Sequence, residues 1–272
     1  MQLSGHIKAM ETALLDGEAQ YQLPIGEQQI DMNALIGQRI ELEYKNVRNC
    51  DNCGNEIKLA QKIYPGGHCA ACFFSLAKCD MCIMKPETCH YDNKDNPCRE
   101  PEWGLGYCFQ PTVVYLSNTA KVKVGITNKK RVLNRWIEQG AVSALPILEV
   151  KSRRDAGHIE VALKAFIGDK TNWRNMLKNE VELSNLTSLK ASLLSQISEE
   201  IEKVGAISLQ DDVININYPV LKYPTKIISL NFDKTTVISG VLNGIKGQYL
   251  LLEGGGVLNV RKFSSYHLTL ST

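Results

Sequence analysis

The cysteines constrain this chain most: all nine lie between Cys50 and Cys108, and six of them form three CxxC pairs. A CxxC turn puts two thiolates on one side of an ion, and Zn²⁺ takes four donors in a tetrahedron, so two such turns close one shell. Cys50-x2-Cys53 and Cys69-x2-Cys72, with fifteen residues between them, have zinc-ribbon spacing. Gly54 after the first knuckle and Gly66-Gly67 before the second supply the permissive backbone that such turns use. A second set opens with Cys79-x2-Cys82 and takes Cys89 and Cys98, the nearest thiols, for its other places. His90 or Cys108 are the alternatives there, and interleaved pairing across the two sites stays open. Nine thiols are one more than two four-thiolate sites hold. A disulfide framework and a redox dithiol compete with this reading. The repeated CxxC pairs, and an N-terminal stretch (MQLSGHIKAMETALLDGE) without the features of a secretory leader, argue against both. We expect two structural zinc ions that contribute folding free energy and offer no open catalytic position.

At 272 residues the chain exceeds a usual single core, so several units are expected. An apolar share of 44% and a charged share of 22% exclude long disorder, coiled coil and collagen-like repeat. No run reaches the ~18 apolar residues of a membrane helix, so the expectation is a cytoplasmic protein with no membrane partner. A net charge of +2 neither requires nor excludes a polyanion.

The fold class expected is α+β in four units. Residues 1–48 read as a small β unit, with strands near 5–11, 19–25 and 38–44. Residues 49–110 form the cysteine-rich zinc module, 111–205 an α/β domain with a C-terminal helix, and 206–272 a small β barrel or sheet. Within 111–205 a hairpin (113–116, turn SNTA, 121–127) is followed by helices striped by Val132, Trp136, Ile137 and by Ile159, Leu163, Phe166, Ile167, with a strand near 148–151 between them. A third helix spans about 186–204 and ends at Gly205.

The run VVYLSNTAKVKVGITNKKRVLNRWIEQGA resembles the GIY-YIG endonuclease superfamily over residues 112–180. Tyr115 matches the tyrosine of the first motif, and Gly125 the glycine of the second. Arg135 resembles the family's phosphate-binding arginine, with Arg131 as the alternative, and Glu160 its metal-binding glutamate. The second motif's tyrosine is replaced by Val124, a departure from the pattern. The arrangement of cysteines ahead of this core and NVRKF in a C-terminal β unit is also similar to an uncharacterised prokaryotic family of unknown function, which implies architecture only. What the first resemblance implies is a nucleic-acid-binding protein that cleaves phosphodiesters with Mg²⁺ or Mn²⁺ at Glu160, and with Tyr115, Arg135 and Glu160 as catalytic residues.

The residues carry a parallel argument. A phosphodiester gains negative charge in its transition state, so cleavage asks for a cation, a charged donor and a base near the attacking water. The chain's clearest basic region lies here, and Lys123, Lys129, Lys130, Arg131, Arg153 and Arg154 are the residues expected on phosphate. Lys246, Tyr249, Arg261, Lys262, Phe263 and Tyr266 interleave cations with rings, for base stacking or for a small β core. The competing function is a non-catalytic zinc-ribbon adaptor for RNA, DNA or a protein partner. In it Tyr115 is a plain strand aromatic, Arg131 and Arg135 a solvated helix face, and Glu160 an i,i+4 partner of Lys164.

Overall fold

The computed structural model describes all residues 1–272. Five strands open the chain: β1 (Gln2–His6), β2 (Glu11–Leu15), β3 (Glu18–Ile25), β4 (Gln28–Asp31) and β5 (Arg39–Arg48). The cysteine module adds short helices α1 (Ala70–Ser75), α2 (Met81–Met84) and α3 (Pro101–Tyr107). Then come β6 (Thr112–Asn118), β7 (Val122–Asn128), α4 (Val132–Glu138), β8 (Ser143–Val150), α5 (Arg153–Leu163), α6 (Trp173–Lys178), α7 (Leu186–Gln196) and α8 (Ser198–Val204). The chain closes with β9 (Ile207–Ser208), β10 (Ile214–Asn215), β11 (Ile228–Ser229), β12 (Val237–Lys246), β13 (Tyr249–Leu252), β14 (Gly256–Asn259) and β15 (Tyr266–Ser271). The fold is thus mixed α+β, with eight α-helices and three sheets. No helix is long and apolar enough to cross a membrane.

β5 explains how the ends of the chain meet. Ile40, Leu42 and Tyr44 are buried while their neighbours are exposed or half-buried, a period of two that faces one side to a core. Both edges of this strand are paired, with β15 on one side and β12 on the other, and the sheet runs β1-β15-β5-β12-β13-β14-β11. The β units read separately at 1–48 and 206–272 are therefore joined in one seven-stranded sheet. β5 makes the join, because both of its edges are taken by C-terminal strands, β12 and β15. β2, β3 and β4 make a small sheet of their own.

The remaining sheet, β10-β8-β6-β7 with β9 on β8, holds the expected hairpin: Tyr115 lies opposite Gly125. Its two faces feed different cores. Val114, Leu116, Val124 and Ile126 join Ile159, Leu163, Leu186, Leu193 and Ile197 beneath α5 and α7. Val113, Tyr115, Trp136 and Ile137 join the main core with Tyr21, Leu42, Leu250 and Phe263. Two helical expectations shift: α5 stops at Leu163, leaving Phe166 52% exposed, and the helix expected over 186–204 breaks at buried Ile197 (φ −119°, ψ 27°) into α7 and α8.

Candidate functional site

Cys50, Cys53, Cys69 and Cys72 bring their sulfurs within 4.8 Å of one another. Cys53 and Cys69 Sγ are 3.9 Å apart, close to the ~3.8 Å edge of a tetrahedron with ~2.3 Å Zn–S bonds. Gly67 holds φ +75° beside Ser264, where a Cβ would sit 2.6 Å from the Ser264 carbonyl oxygen, so only glycine fits this turn. The Cys69 N–H donates to Cys50 Sγ at 3.3 Å, and Asn52 Nδ2 to Cys72 Sγ at 3.6 Å. Burial opposes the Cys50 thiolate, but N–H groups of Cys53, Cys69 and Asn52 outweigh it and bring the thiol down to about 6. Burial, with the other thiols crowding it, pushes Cys72 up to about 12. Four mutually close thiols with N–H donors aimed at sulfur fit a closed structural metal site.

The second set is arranged differently from its sequence reading. Cys82, Cys89, Cys98 and Cys108 line one small enclosed cavity with Asp80 and His90, whereas Cys79 is not on its wall. The charged neighbours of Cys79 are Lys78, Arg99, Cys50 and Glu100. The CxxC spacing pairs Cys79 with Cys82, but in the fold only Cys82 faces this cavity.

A cleft of about 190 Å³ lies between this module and the β6–β7 hairpin. Tyr115, Lys123, Arg135, Gln139, Arg153, Glu160, Lys164 and Asp169 line it, together with Ile83, Met84 and Pro86 of the cysteine module. The three residues singled out for chemistry, Tyr115, Arg135 and Glu160, thus share one cleft. Gly125 admits the Tyr115 ring: a Cβ there would sit 2.5 Å from the tyrosine oxygen. Tyr115 is fully buried and its hydroxyl donates to Gln139 Oε1 at 3.1 Å; burial raises its pKa. Ser152 caps α5, accepting the Asp155 N–H at 3.1 Å, and Glu160 follows about two turns further on in the cleft wall. Burial raises the Glu160 carboxyl, with Lys164 at 3.5 Å opposing it.

Val124 packs in the core beneath α5 and also borders the cleft, while the residue sharing Gly125's face of β7 is Lys123. Lys123 is buried, and burial, with Arg135 beside it, lowers its pKa to about 8. Strand alternation back from Gly125 identifies this position, and i,i+4 spacing from Glu160 identifies Lys164; Gln139 and Asp169 carry no comparable sequence signal. A divalent cation would find Glu160 and Asp169 here, but Lys164 Nζ lies 3.5 Å from the first and 3.0 Å from the second, so its ammonium has to swing away first.

The surface cations are less free than their count implies. Lys129 pairs with Glu149 at 2.7 Å, Arg131 with Glu138 at 2.7 Å and Arg154 with Asp92 at 2.8 Å, while Arg153 Nη2 donates to the Ile83 carbonyl at 2.7 Å. Lys130 is exposed. The Lys129 and Arg154 pairs are weak and a phosphate can exchange for their carboxylates, whereas Glu138, its side chain only 7% exposed, also holds Arg261 at 2.7 Å and ties Arg131 into a network. In the C-terminal segment, Lys246, Phe263 and Tyr266 are buried and Tyr249 stacks on Trp173 at 5.8 Å, so most of that set fills cores.

Residues 37–268 match a family described as "Protein of unknown function (DUF2797)". The chain belongs to this family. The matched span takes in the cysteine module, the cleft, the strands β5 and β12 and the start of β15 in the main sheet, and starts after β1–β4. No curated protein and no solved structure matches the chain. A groove of about 950 Å³ beside α7 and Tyr218 is lined by no charged side chain and shares no residue with the cleft.

Proposed function

We propose that the cleft binds a phosphodiester and that the protein is a zinc-containing, nucleic-acid-binding module of GIY-YIG-like build with slow, divalent-cation-dependent cleavage. One observation carries the reading: Lys123, Arg135 and Arg153, with Lys164 as a fourth cation paired to Glu160 and Asp169, converge with Glu160 and the Tyr115 hydroxyl around a single opening. Lys123, near 8, is mostly charged at neutral pH and with Arg135 offsets the charge of a phosphate; that help grows as charge builds in the transition state. Lys129, Lys130, Arg131 and Arg154 track the strand outside the cleft. A Mg²⁺ or Mn²⁺ ion at Glu160 would offset phosphate charge and acidify a bound water. Tyr115, whose phenolate burial makes scarce, orients the attacking water, and Glu160 would hold the ion beside it. The Cys50–Cys72 cluster is read as structural zinc, and nine thiols as the mark of a reducing, cytoplasmic setting.

The adaptor reading draws on one other observation. Beside the first cluster, Tyr64 stacks on Phe73 at 4.7 Å, Phe74 is 61% exposed, and Lys62 lies 4.8 Å from the Tyr64 ring. Such a ring-and-cation knuckle can engage bases or a protein without chemistry. Titrations of labelled DNA and RNA at rising salt, paired with Mg²⁺ and Mn²⁺ cleavage assays, separate the readings. We expect affinity to fall with salt and Glu160→Ala to abolish products while leaving binding and zinc content intact. Binding without products in either protein supports the adaptor; no binding to any nucleic acid at low salt ends both nucleic-acid readings.

A further inference from the structure

We propose that Cys82, Cys89, Cys98 and Cys108 form a second closed four-thiolate centre for zinc, and that this centre fixes Arg153 in the wall of the neighbouring cleft. The assignment of the metal does not depend on what the cleft binds. Its first support is the cavity itself: about 10 Å³, room for about one water-sized sphere, with all four thiols on its wall. Ile83, Tyr91, Trp103 and Phe109 also face it, the dry shell that a structural site keeps around its sulfurs.

The oxygen and nitrogen donors nearby are already engaged. Asp80, His90 and Cys82 bring ligand atoms within 4.8 Å of one another, whereas the four thiols share the cavity wall without closing to that mutual distance, so the ion has to draw them in. However, Asp80 accepts from the Met81 N–H at 2.6 Å, capping α2, and from Arg99 Nε at 2.8 Å. His90 Nδ1 faces the Asn96 carbonyl at 2.8 Å and its Nε2 faces Asp80 at 3.5 Å. This carboxylate, guanidinium and imidazole form a bracket that holds the loop 80–99 around the thiols. α3 supplies the last donor: Gly104 passes where a Cβ would lie 3.4 Å from Cys98 Sγ, and its carbonyl accepts the Cys108 N–H at 2.7 Å. The arithmetic then closes, since nine cysteines less two sets of four leave one, and Cys79 stands apart.

The centre is tied to α5 from both of its ends. The Cys108 carbonyl accepts the Arg153 N–H at 2.7 Å, and the carbonyl of Ile83, next to Cys82, accepts from Arg153 Nη2 at 2.7 Å. Binding the metal draws Cys82 and Cys108 onto one ion and so sets both anchors of Arg153.

The test is zinc content and coordination of the reduced, full-length protein. We expect two zinc ions per chain, two after Cys79→Ser, and one after Cys108→Ser or Cys98→Ser. Zinc X-ray absorption on the unmodified protein, which needs no variant to fold, should show sulfur alone at ~2.3 Å. A single zinc per chain, a nitrogen or oxygen shell at ~2.0–2.2 Å, or loss of one ion in Cys79→Ser with none lost in Cys108→Ser overturns the assignment. For the link to Arg153, amide hydrogen exchange at residues 153–157 should rise at least tenfold in Cys108→Ser and stay unchanged in Cys79→Ser; equal protection in both overturns the coupling.

Discussion

Lys246 is fully enclosed, its ammonium bonded to Asn179 Oδ1 at 2.7 Å and set 5.1 and 5.3 Å from the Tyr218 and Tyr223 rings. Burial lowers its pKa to about 7 from the ordinary 10.5. The folded chain therefore holds this proton more weakly than the unfolded chain, so the group's cost is fully present below pH 7 and is relieved as pH rises toward 10.5. The span corresponds to a cost on the order of 3–5 kcal/mol. Lys246→Met should be more stable than the parent at pH 7 in denaturant titrations, with an advantage that shrinks steadily by pH 9.5. A difference that stays constant across that range contradicts the account. Sequence counting grouped this lysine with the C-terminal stacking residues, because a lysine among tyrosines reads alike on a surface and in a core. Lys123 was hidden by the same ambiguity: its burial follows from the face of β7 it occupies, which charge alone does not encode.

At the scale of elements, short-range pattern carried far. The β6–β7 hairpin and the Cys50–Cys72 knuckles lie within a few residues of where their turn glycines and alternation put them, since such elements are fixed by neighbours in sequence. What pattern missed is contact between elements. α5 packs on the turn Pro86–Thr88 through Gly157, where an added Cβ would sit 2.5 Å from the Glu87 nitrogen and 2.9 Å from Pro86 carbon. That nitrogen is backbone, so the helix itself must move. Gly157→Ala should cost about 1–3 kcal/mol, visible as a lowered melting temperature. It should also weaken phosphate or oligonucleotide binding, because the helix carrying Glu160 and Arg153 shifts away from Ile83 and Pro86. Unchanged melting and unchanged binding would show that the helix and the turn tolerate separation. The regrouping of Cys79 and Cys108 has the same origin, for the partner of Cys82 that lies furthest along the chain arrives on α3.

On the scale of the molecule, the main core draws Val113, Tyr115, Trp136 and Ile137 together with residues before Cys50 and after Gly205, so the α/β unit at 111–205 does not own all of its core. Expressed alone, residues 111–205 should give a poorly dispersed NMR spectrum and bind hydrophobic dye, while the full chain with zinc should unfold in one transition by both circular dichroism and tryptophan fluorescence. A well-dispersed spectrum from the fragment, melting near the parent, would restore an independent domain. The placement of β5 also governs how the chain is born. Its two partners begin at Val237 and Tyr266, close to two hundred residues after β5 ends at Arg48. At ~5–20 residues per second, synthesis leaves β5 without either neighbour for roughly 10–40 s. During that interval the thiols are already made, and Ile40, Leu42 and Tyr44 wait uncovered on a strand with two open edges. A ribosome-bound helper or an early-loaded metal would find its work there.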